Sequence, residues 1–244
     1  MKMKFPYRIA LAGGWIDQPW VSRICHGSMV VASLAPTIKF HDRSGMATSS
    51  RKKGIGIWGD RLPQGDPVKL AKILFGAENL PGSVYISGSQ DQIGLLVPGI
   101  SRLDYNGKFW PSRITSTRDT KTAEWLESVI KLIPLQPRPR GYDPIRIKHL
   151  SYDDVKKLGQ SGELCWKSIL KHDLKGFGES LTQSLECWGR LLPLTVDKKA
   201  MKKLAEYSGQ AGATFTGAGG GYIILATDRQ LAHAIKIKIR LGSG

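Results

Sequence analysis

The sequence predicts a mixed α+β protein. Apolar runs that end in glycine turns are typical of strands, and other stretches repeat apolar residues at helical spacing. The length of 244 residues suits one large domain or two small ones that share a core. Hydrophobic residues make up 41% and charged residues 23% of the chain, which is ordinary for a globular protein. No apolar run of about 18 residues occurs, so no transmembrane helix is predicted.

The first part of the chain alternates predicted strands and helices. Strands are predicted over 7–14 and 27–36. A glycine turn followed by a helix is predicted over 44–59, a helix over 66–79, and a short helix beginning near 87. Gly54 and Gly56 weaken the helix that contains them. The segment 101–114 carries Asn-Gly between strand-like arms, which is a strong hairpin signal.

The second part is predicted to be mostly helical. Its predicted elements are a helix at 120–133, a proline-rich loop at 135–144, one or two long helices between 151 and 191, a helix at 198–210, a strand at 222–226 and an amphipathic segment from 228. Ser151 and Asp154 form a capping pattern at the start of the long helices. Trp166 and Trp188 are expected to be core residues.

The net charge of +16, from 36 Lys and Arg against 20 Asp and Glu, is unusual. It indicates nucleic acid, anionic small molecules or an acidic surface as partners. The charge lies in short clusters at 50–54, 138–141 and 235–240 rather than in a long tail. Two interpretations stay open, a solvated basic surface and an electrostatic field that concentrates phosphate ligands.

The three cysteines, Cys25, Cys165 and Cys187, show no CxxC spacing. They indicate neither a disulfide framework nor a zinc site, and core thiols in a reducing cytoplasm are expected. Pro6 and Arg8 interrupt the apolar stretch at the N-terminus, so no signal peptide is expected.

Four glycine-containing segments follow one another along the chain. They are "RIALAGGWIDQP" (8–19), "RSGMATSS" (43–50), "GSQDQ" (88–92) and "GATFTGAGGGY" (212–222). Each alone is compatible with a tight turn, because glycine tolerates backbone angles that other residues avoid. The alternative is a backbone that approaches a phosphate closely.

Together and in this order, these segments resemble the GHMP kinases, the family of galactokinase, homoserine kinase, mevalonate kinase and phosphomevalonate kinase. "RIALAGGWIDQP" and "GSQDQ" are most similar to the branch of fucokinase-like and heptose-phosphate kinases. The resemblance implies a two-domain α+β fold with the active site in the cleft. The N-terminal domain would resemble ribosomal protein S5 domain 2, in a shortened form, and the C-terminal domain would be ferredoxin-like.

The resemblance implies domains at 1–116, with the phosphate loop and the catalytic aspartate, and at 117–241, with the third glycine motif. The closing Gly-Ser-Gly, residues 242–244, is interpreted as a cloning remnant.

The implied activity is transfer of a phosphoryl group from ATP, with Mg²⁺, to a hydroxyl of a sugar or sugar phosphate. A glycine turn at a helix N-terminus can hold nucleotide phosphates with its N–H groups. The resemblance assigns this role to Ser44, Gly45, Ala47, Thr48, Ser49 and Ser50. It also makes Ser49 and Glu78 ligands of Mg²⁺, which prefers hard oxygens. An exposed helix-end acid is the alternative for Glu78.

Asp91 matches the catalytic aspartate of the family, which would orient the acceptor hydroxyl and take its proton. A helix N-cap is the alternative. Arg8 is expected to pair with Asp91, to keep it ionised and to offset charge on the transferred group. The expected substrate-binding residues are Gly13, Gly14, Asp17, Thr216, Gly217, Ala218, Gly219 and Gly220.

The chain departs from the family in three ways. Only 31 positions separate Gly14 from Gly45, where family members usually carry elements of the base pocket. Ala47 stands where a glycine is usual, and the basic residues 51–53 follow where small apolar ones are usual. The basic residues would either add phosphate contacts or lie on a solvated face.

Two alternatives to a sugar kinase therefore stay open. One is a family member that binds nucleotide or sugar without turnover, and the other is a basic nucleic-acid-binding protein. The kinase hypothesis predicts a cytoplasmic monomer or homodimer with a nucleotide and a small-molecule substrate as partners, and without nucleic acid or membrane.

Overall fold

Two antiparallel sheets organise the chain in the computed structural model, which describes residues 4–138, 141–217 and 219–242. The first sheet has the order β1-β2-β3-β4 and contains β1 (Tyr7–Ala12), β2 (Gly27–Leu34), β3 (Ile100–Tyr105) and β4 (Arg113–Thr117). The register of β1 against β2 shifts between Ala10 and Ala12, just before the first glycine pair. The predicted strands and the 101–114 hairpin are confirmed.

The second sheet has the order β5-β7-β6, with β5 (Ile130–Pro134), β6 (Gly212–Phe215) and β7 (Tyr222–Ala226). The C-terminal segment extends it, because Ile235 and Leu132 exchange backbone hydrogen bonds of 2.9 and 3.1 Å. The resulting order, C-terminal segment–β5–β7–β6, is that of a ferredoxin-like sheet.

Eight α-helices are described. They are α1 (Pro19–Ser22), α2 (Thr48–Trp58), α3 (Pro67–Glu78), α4 (Gln90–Leu96), α5 (Thr120–Val129), α6 (Tyr152–Lys171), α7 (Leu174–Leu191) and α8 (Lys198–Ala205). A 3₁₀ turn at Pro193–Thr195 follows α7. Ser151 caps α6 by accepting a hydrogen bond from the Asp154 N–H, which confirms the predicted capping pattern. No helix of the described residues is long and apolar enough to cross a membrane.

Several predicted helix boundaries were wrong. The helix predicted over 120–133 ends at Val129, and residues 130–134 form β5, because their apolar residues pair with β7 in the buried sheet. The helix predicted over 198–210 ends at Ala205. The start of the third glycine motif, where no strand was predicted, forms β6. Residues 228–234 form turns and bends.

Two hydrophobic clusters form the core, and each contains residues from both sheets. Helices α6 and α7 pack against each other, and α6 lies on β2 while α7 lies on β6. Trp166 and Trp188 are buried in these clusters, as predicted. The division into domains at 116/117 stays a prediction, and it falls one residue before the end of β4, the last strand of the first sheet.

Candidate active site

A cavity of about 220 Å³ lies where the glycine segments meet. Its lining comes from both halves of the chain. The lining residues are Arg8, Ala10, Gly14, Trp15, Asp17, Gln18, Arg43, Gly45, Ala47, Thr48, Ser49, Tyr85, Ser87, Gly88, Gln90, Asp91, Arg138, Trp188 and Gly217. All four segments singled out in the sequence contribute to this wall.

The predicted ion pair between Arg8 and Asp91 is present in the cavity. Arg8 projects from β1 and is only 3% exposed, whereas the Asp91 side chain, in the first turn of α4, is 29% exposed. A side chain at Gly94 would overlap the Arg8 side chain, so a glycine is needed there. Burial lowers the pKa of Arg8 to about 10. Its Nε atom is buried without a hydrogen-bond partner within the described structure.

Asp91 is not a helix cap. The N-cap position of α4 is Ser89, and Asp91 lies two residues further on, inside the first turn. A carboxylate there is stabilised by the positive end of the helix dipole. Its position leaves an acidic group that is paired with an arginine and still partly open to the cavity.

Asp17 lies in the same cavity and is 1% exposed. Burial raises the pKa of its carboxyl group to about 6, against the opposing effects of a hydrogen bond from Gln90 and the charge of Arg8. Its Oδ1 atom is buried without a hydrogen-bond partner among the described residues. A Cβ atom at Gly88 would overlap the Asp17 carboxylate, which accounts for the glycine of "GSQDQ".

The phosphate loop leads into the N-terminus of α2. Arg43, Gly45 and Ala47 each have a positive φ, at 62°, 75° and 54°. The N-cap residue Ala47 makes no side-chain capping bond, and the first turn contains no acidic residue. The first-turn N–H groups and the positive helix end are thus available to an anion at a wall of the cavity. The backbone at Ala47 is left-handed, a conformation that glycine adopts most easily. This agrees with the glycine that the GHMP kinases usually have at this position.

The third glycine motif packs backbone to backbone on the phosphate loop. A Cβ atom at Gly217 would lie 2.7 Å from the Gly45 Cα, and one at Gly45 would lie 2.6 Å from the Thr216 carbonyl carbon. The Thr216 hydroxyl is buried and donates to the Ser44 carbonyl oxygen at 2.6 Å. The glycines therefore allow two loops to touch, and Gly217 reaches the cavity.

Three predicted substrate-binding residues of this motif do not line the cavity. Thr216 is occupied in the loop contact, a side chain at Gly219 would overlap the Thr195 carbonyl, and one at Gly220 would overlap the Arg138 side chain. Ala218 lies outside the described residues. Most of the motif therefore packs against other loops around the cavity and does not form its wall.

The first glycine pair is held by α7. The Gly13 N–H donates to the Ser184 hydroxyl at 3.2 Å, and the Trp188 indole N–H donates to the Gly14 carbonyl at 3.1 Å. Gly14 lines the cavity, whereas Gly13, also predicted to bind substrate, does not. Trp188 is both a core residue and part of the cavity wall.

Of the two predicted metal ligands, Ser49 lines the cavity and Glu78 does not. Ser49 is exposed, and Glu78 accepts hydrogen bonds from Ser50 and Gln92. Burial raises the pKa of Glu78. Ser44 and Ser50, expected at the nucleotide, are buried and do not line the cavity. The described residues contain no cluster of three His, Cys, Asp or Glu side chains that fits a metal ion. The roles of Ser49 and Glu78 as ligands of Mg²⁺ stay predictions.

The basic residues after the phosphate loop serve other contacts. Arg51 donates to the Phe5 carbonyl at 3.1 Å, and its guanidinium lies 4.3 Å from the centre of the Tyr7 ring. Lys52 pairs with Asp42 at 2.6 Å, and neither residue lines the cavity. Of the two interpretations left open, the structure favours surface and packing roles over phosphate contacts.

Several lining residues were missed in the sequence, notably Arg138, Arg43, Tyr85 and Trp15. Arg138 belongs to the proline-rich basic cluster, which was the one available signal for it. Trp15 has a φ of 80°, and it is one of three cavity residues among the five described non-glycine residues with positive φ. Such backbone strain concentrates at functional sites, but a single sequence does not reveal it.

Similar solved structures identify the fold. A D-glycero-D-manno-heptose 1-phosphate kinase from Bacteriodes thetaiotaomicron matches with a TM-score of 0.58 at 14% identity, covering 97% of this chain and 95% of that one. The Methanococcus jannaschii mevalonate kinase matches with a TM-score of 0.61 at 13% identity, covering 93% and 90%. The Lactococcus lactis galactokinase matches with a TM-score of 0.56 at 14% identity, covering 92% and 84%.

The chain has the GHMP kinase fold. The predicted fold class is thereby confirmed along nearly the whole chain, although the identities are low. No profile of a known protein family matches the sequence, and no curated protein matches it. The likeness therefore lies in the arrangement of the elements and in a few short segments of the GHMP kinase fold.

Proposed function

We propose that this protein is a small-molecule kinase that transfers the γ-phosphoryl group of ATP to a hydroxyl of a sugar or sugar phosphate. One observation supports this most strongly: the Arg8–Asp91 pair lies in the same cavity as the uncapped N-terminus of α2. A base for a hydroxyl and a binding surface for phosphate are the two requirements of phosphoryl transfer.

The acceptor side of the cavity is formed by two carboxylates. Asp91 would orient the attacking hydroxyl and take its proton as the new P–O bond forms. Asp17, with an unpartnered oxygen, would accept hydrogen bonds from other hydroxyls of the acceptor. A polyhydroxylated acceptor suits this pair, because each buried carboxylate oxygen requires a donor.

The phosphate side is formed by backbone and by arginine. The N–H groups at the start of α2 would hold the nucleotide phosphates, and Arg8 would offset the charge that develops on the transferred group. Ser49 fits a contact to Mg²⁺, which would supply charge neutralisation between the phosphates. In the balanced reaction the bond between the γ-phosphorus and its bridging oxygen breaks, ADP leaves, and the hydroxyl proton passes to Asp91.

The test is an ADP-release assay with ATP and Mg²⁺ against free and phosphorylated hexoses and heptoses. Asp91→Asn is compared with Asp60→Asn, which removes an exposed acid away from the cavity. We expect acceptor-dependent ADP release that falls about 100-fold or more in Asp91→Asn alone. Equal rates in the two variants would remove Asp91 from its proposed role.

Ligand binding without turnover is the second candidate function, and the position of Glu78 supports it. Glu78, the expected carboxylate ligand of the metal, does not line the cavity, and its Oε2 atom accepts hydrogen bonds from Ser50 and Gln92. The same assay separates the two functions. Saturable ADP binding by calorimetry, with no ADP release for any acceptor, would favour the binding protein.

A further inference from the structure

The cavity contains more positive charge than its own acids balance. Three arginines and two aspartates line it. Arg8 is paired with Asp91 and also lies in the field of Asp17. Within the described ranges, Arg43 and Arg138 form no ion pair with a carboxylate. These two guanidinium groups account for the excess of one positive charge among the five charged side chains of the cavity.

Arg138 is held in place by three contacts from different segments. Its Nε–H donates to the Arg43 carbonyl at 3.3 Å, and its guanidinium lies 5.8 Å from the centre of the Tyr142 ring. Its aliphatic stem lies on Gly220, where a Cβ atom would overlap it. Gly220 of the third motif thus provides space for an arginine that follows β5.

The arrangement is unfavourable without a ligand. Burial lowers the pKa of Arg138, and the nearby charge of Arg43 acts in the same direction. The charge of Arg138 also lowers the pKa of Arg8, so Arg138 repels both of the other guanidinium groups. A dianionic group bound among them would relieve this repulsion, and a planar guanidinium can bind phosphate oxygens with two parallel hydrogen bonds.

We propose that Arg138, supported by Arg43, binds a phosphate group of the ligand from the C-terminal half of the chain, a role that rests on the proposed phosphoryl-transfer function. The phosphate belongs either to the nucleotide or to a phosphorylated acceptor. Both share the chemistry that Arg138 recognises, and the arms of the experiment distinguish them. Arg138 is then a binding residue of the same cavity, opposite in charge to the acceptor-binding aspartates.

The experiment measures binding by calorimetry on the full chain, with ADP, a hexose 1-phosphate and the free hexose as separate titrants. Arg138→Gln is compared with Arg146→Gln, which removes an exposed arginine from the same loop outside the cavity. We expect Arg138→Gln to lower the affinity for a phosphate-bearing titrant roughly 10- to 100-fold and to change the affinity for the free hexose little. Arg138→Lys should restore part of the loss, because it retains the charge but not the two-pronged geometry.

If Arg138→Gln lowers the affinity for ADP alone, Arg138 binds the nucleotide phosphates. If it lowers the affinity for the hexose 1-phosphate alone, Arg138 binds the acceptor. Equal affinities in Arg138→Gln and Arg146→Gln would overturn the proposal. The proposal would also be overturned if Arg138→Gln lowered the affinity for the free hexose as much as that for the phosphate-bearing titrants. A wild-type protein that binds neither ADP nor the hexose 1-phosphate would overturn it too. Because turnover is not measured, an inactive protein that shows the Arg138 effect would refute the kinase and leave this inference standing.

Discussion

At the scale of single residues, the buried carboxylate of Asp17 lowers the stability of the fold when it is ionised. Its pKa of about 6 in the fold, against 3.8 ordinarily, means that burial disfavours the ionised carboxyl group. One pKa unit corresponds to about 1.4 kcal/mol, so the ionised group destabilises the fold by on the order of 3 kcal/mol at neutral pH. Hydrogen bonds from a bound polyol would recover part of this.

Asp17→Asn tests that cost. The folded-state pKa is raised, so the folded state binds the proton more tightly, and the destabilisation appears as the pH rises from about 4 to 6. We therefore expect the variant to gain free energy of unfolding relative to wild type at pH 8 but not at pH 4, measured by urea unfolding. The same difference at both pH values would show that Asp17 is not the titrating group.

At the scale of elements, helix α2 contains two glycines in different surroundings. A side chain at Gly54 would overlap the Phe5 ring, which stacks on Trp58 with centroids 6.3 Å apart. Gly56 is exposed, and a Cβ atom there would meet nothing within 4 Å. The first glycine permits the chain near the N-terminus to lie on the helix, and the second only lowers helix propensity.

The pair predicts opposite effects of one substitution. Gly56→Ala should stabilise the protein by about 0.5–1 kcal/mol, because alanine is the better helix former. Gly54→Ala should destabilise it by about 1–3 kcal/mol, because the added methyl group overpacks against Phe5. Thermal unfolding of both variants checks this, and a stabilised Gly54→Ala would contradict the described contact.

The contact between the phosphate loop and the third motif gives a second prediction for elements. Gly217 and Gly82 both have positive φ, at 56° and 84°, but only Gly217 touches another backbone. Gly82→Ala should therefore lower the free energy of unfolding by about 1 kcal/mol, because alanine is strained in the left-handed conformation. Gly217→Ala should cost clearly more and weaken ADP binding as well, as measured by thermal unfolding and calorimetry. Equal effects would mean that the two loops do not meet.

At the scale of the whole molecule, the order of short segments predicted much of the fold and part of the site. Hydrophobic periodicity located β1, β2 and the long helices, and Asn-Gly indicated the hairpin. The resemblance of the glycine segments to the GHMP kinases implied that Arg8, Asp17 and Asp91 belong to one site, and all three line the cavity. Hydrophobic periodicity did not predict β5 and β6, because pairing within a sheet depends on residues that are distant in sequence.

Some residues that were expected to bind substrate do not line the cavity. Thr216, Gly219 and Gly220 look like ligand contacts in sequence, but their neighbours are other loops. Arg138 lies far along the chain in a loop without a motif, and only the fold brings it to Arg43. Long-range packing of this kind is decided by three-dimensional contacts that local patterns do not encode.

Asp91 and Arg8 are proposed to act together in phosphoryl transfer to a hydroxyl group. The most direct measurement is detection of the phosphorylated acceptor by mass spectrometry after incubation with ATP, Mg²⁺ and a pool of free and phosphorylated sugars. We predict a product heavier by one phosphoryl group with the wild type and with Asp60→Asn, and at least about 100-fold less with Asp91→Asn. The same amount of product from Asp91→Asn would contradict the account.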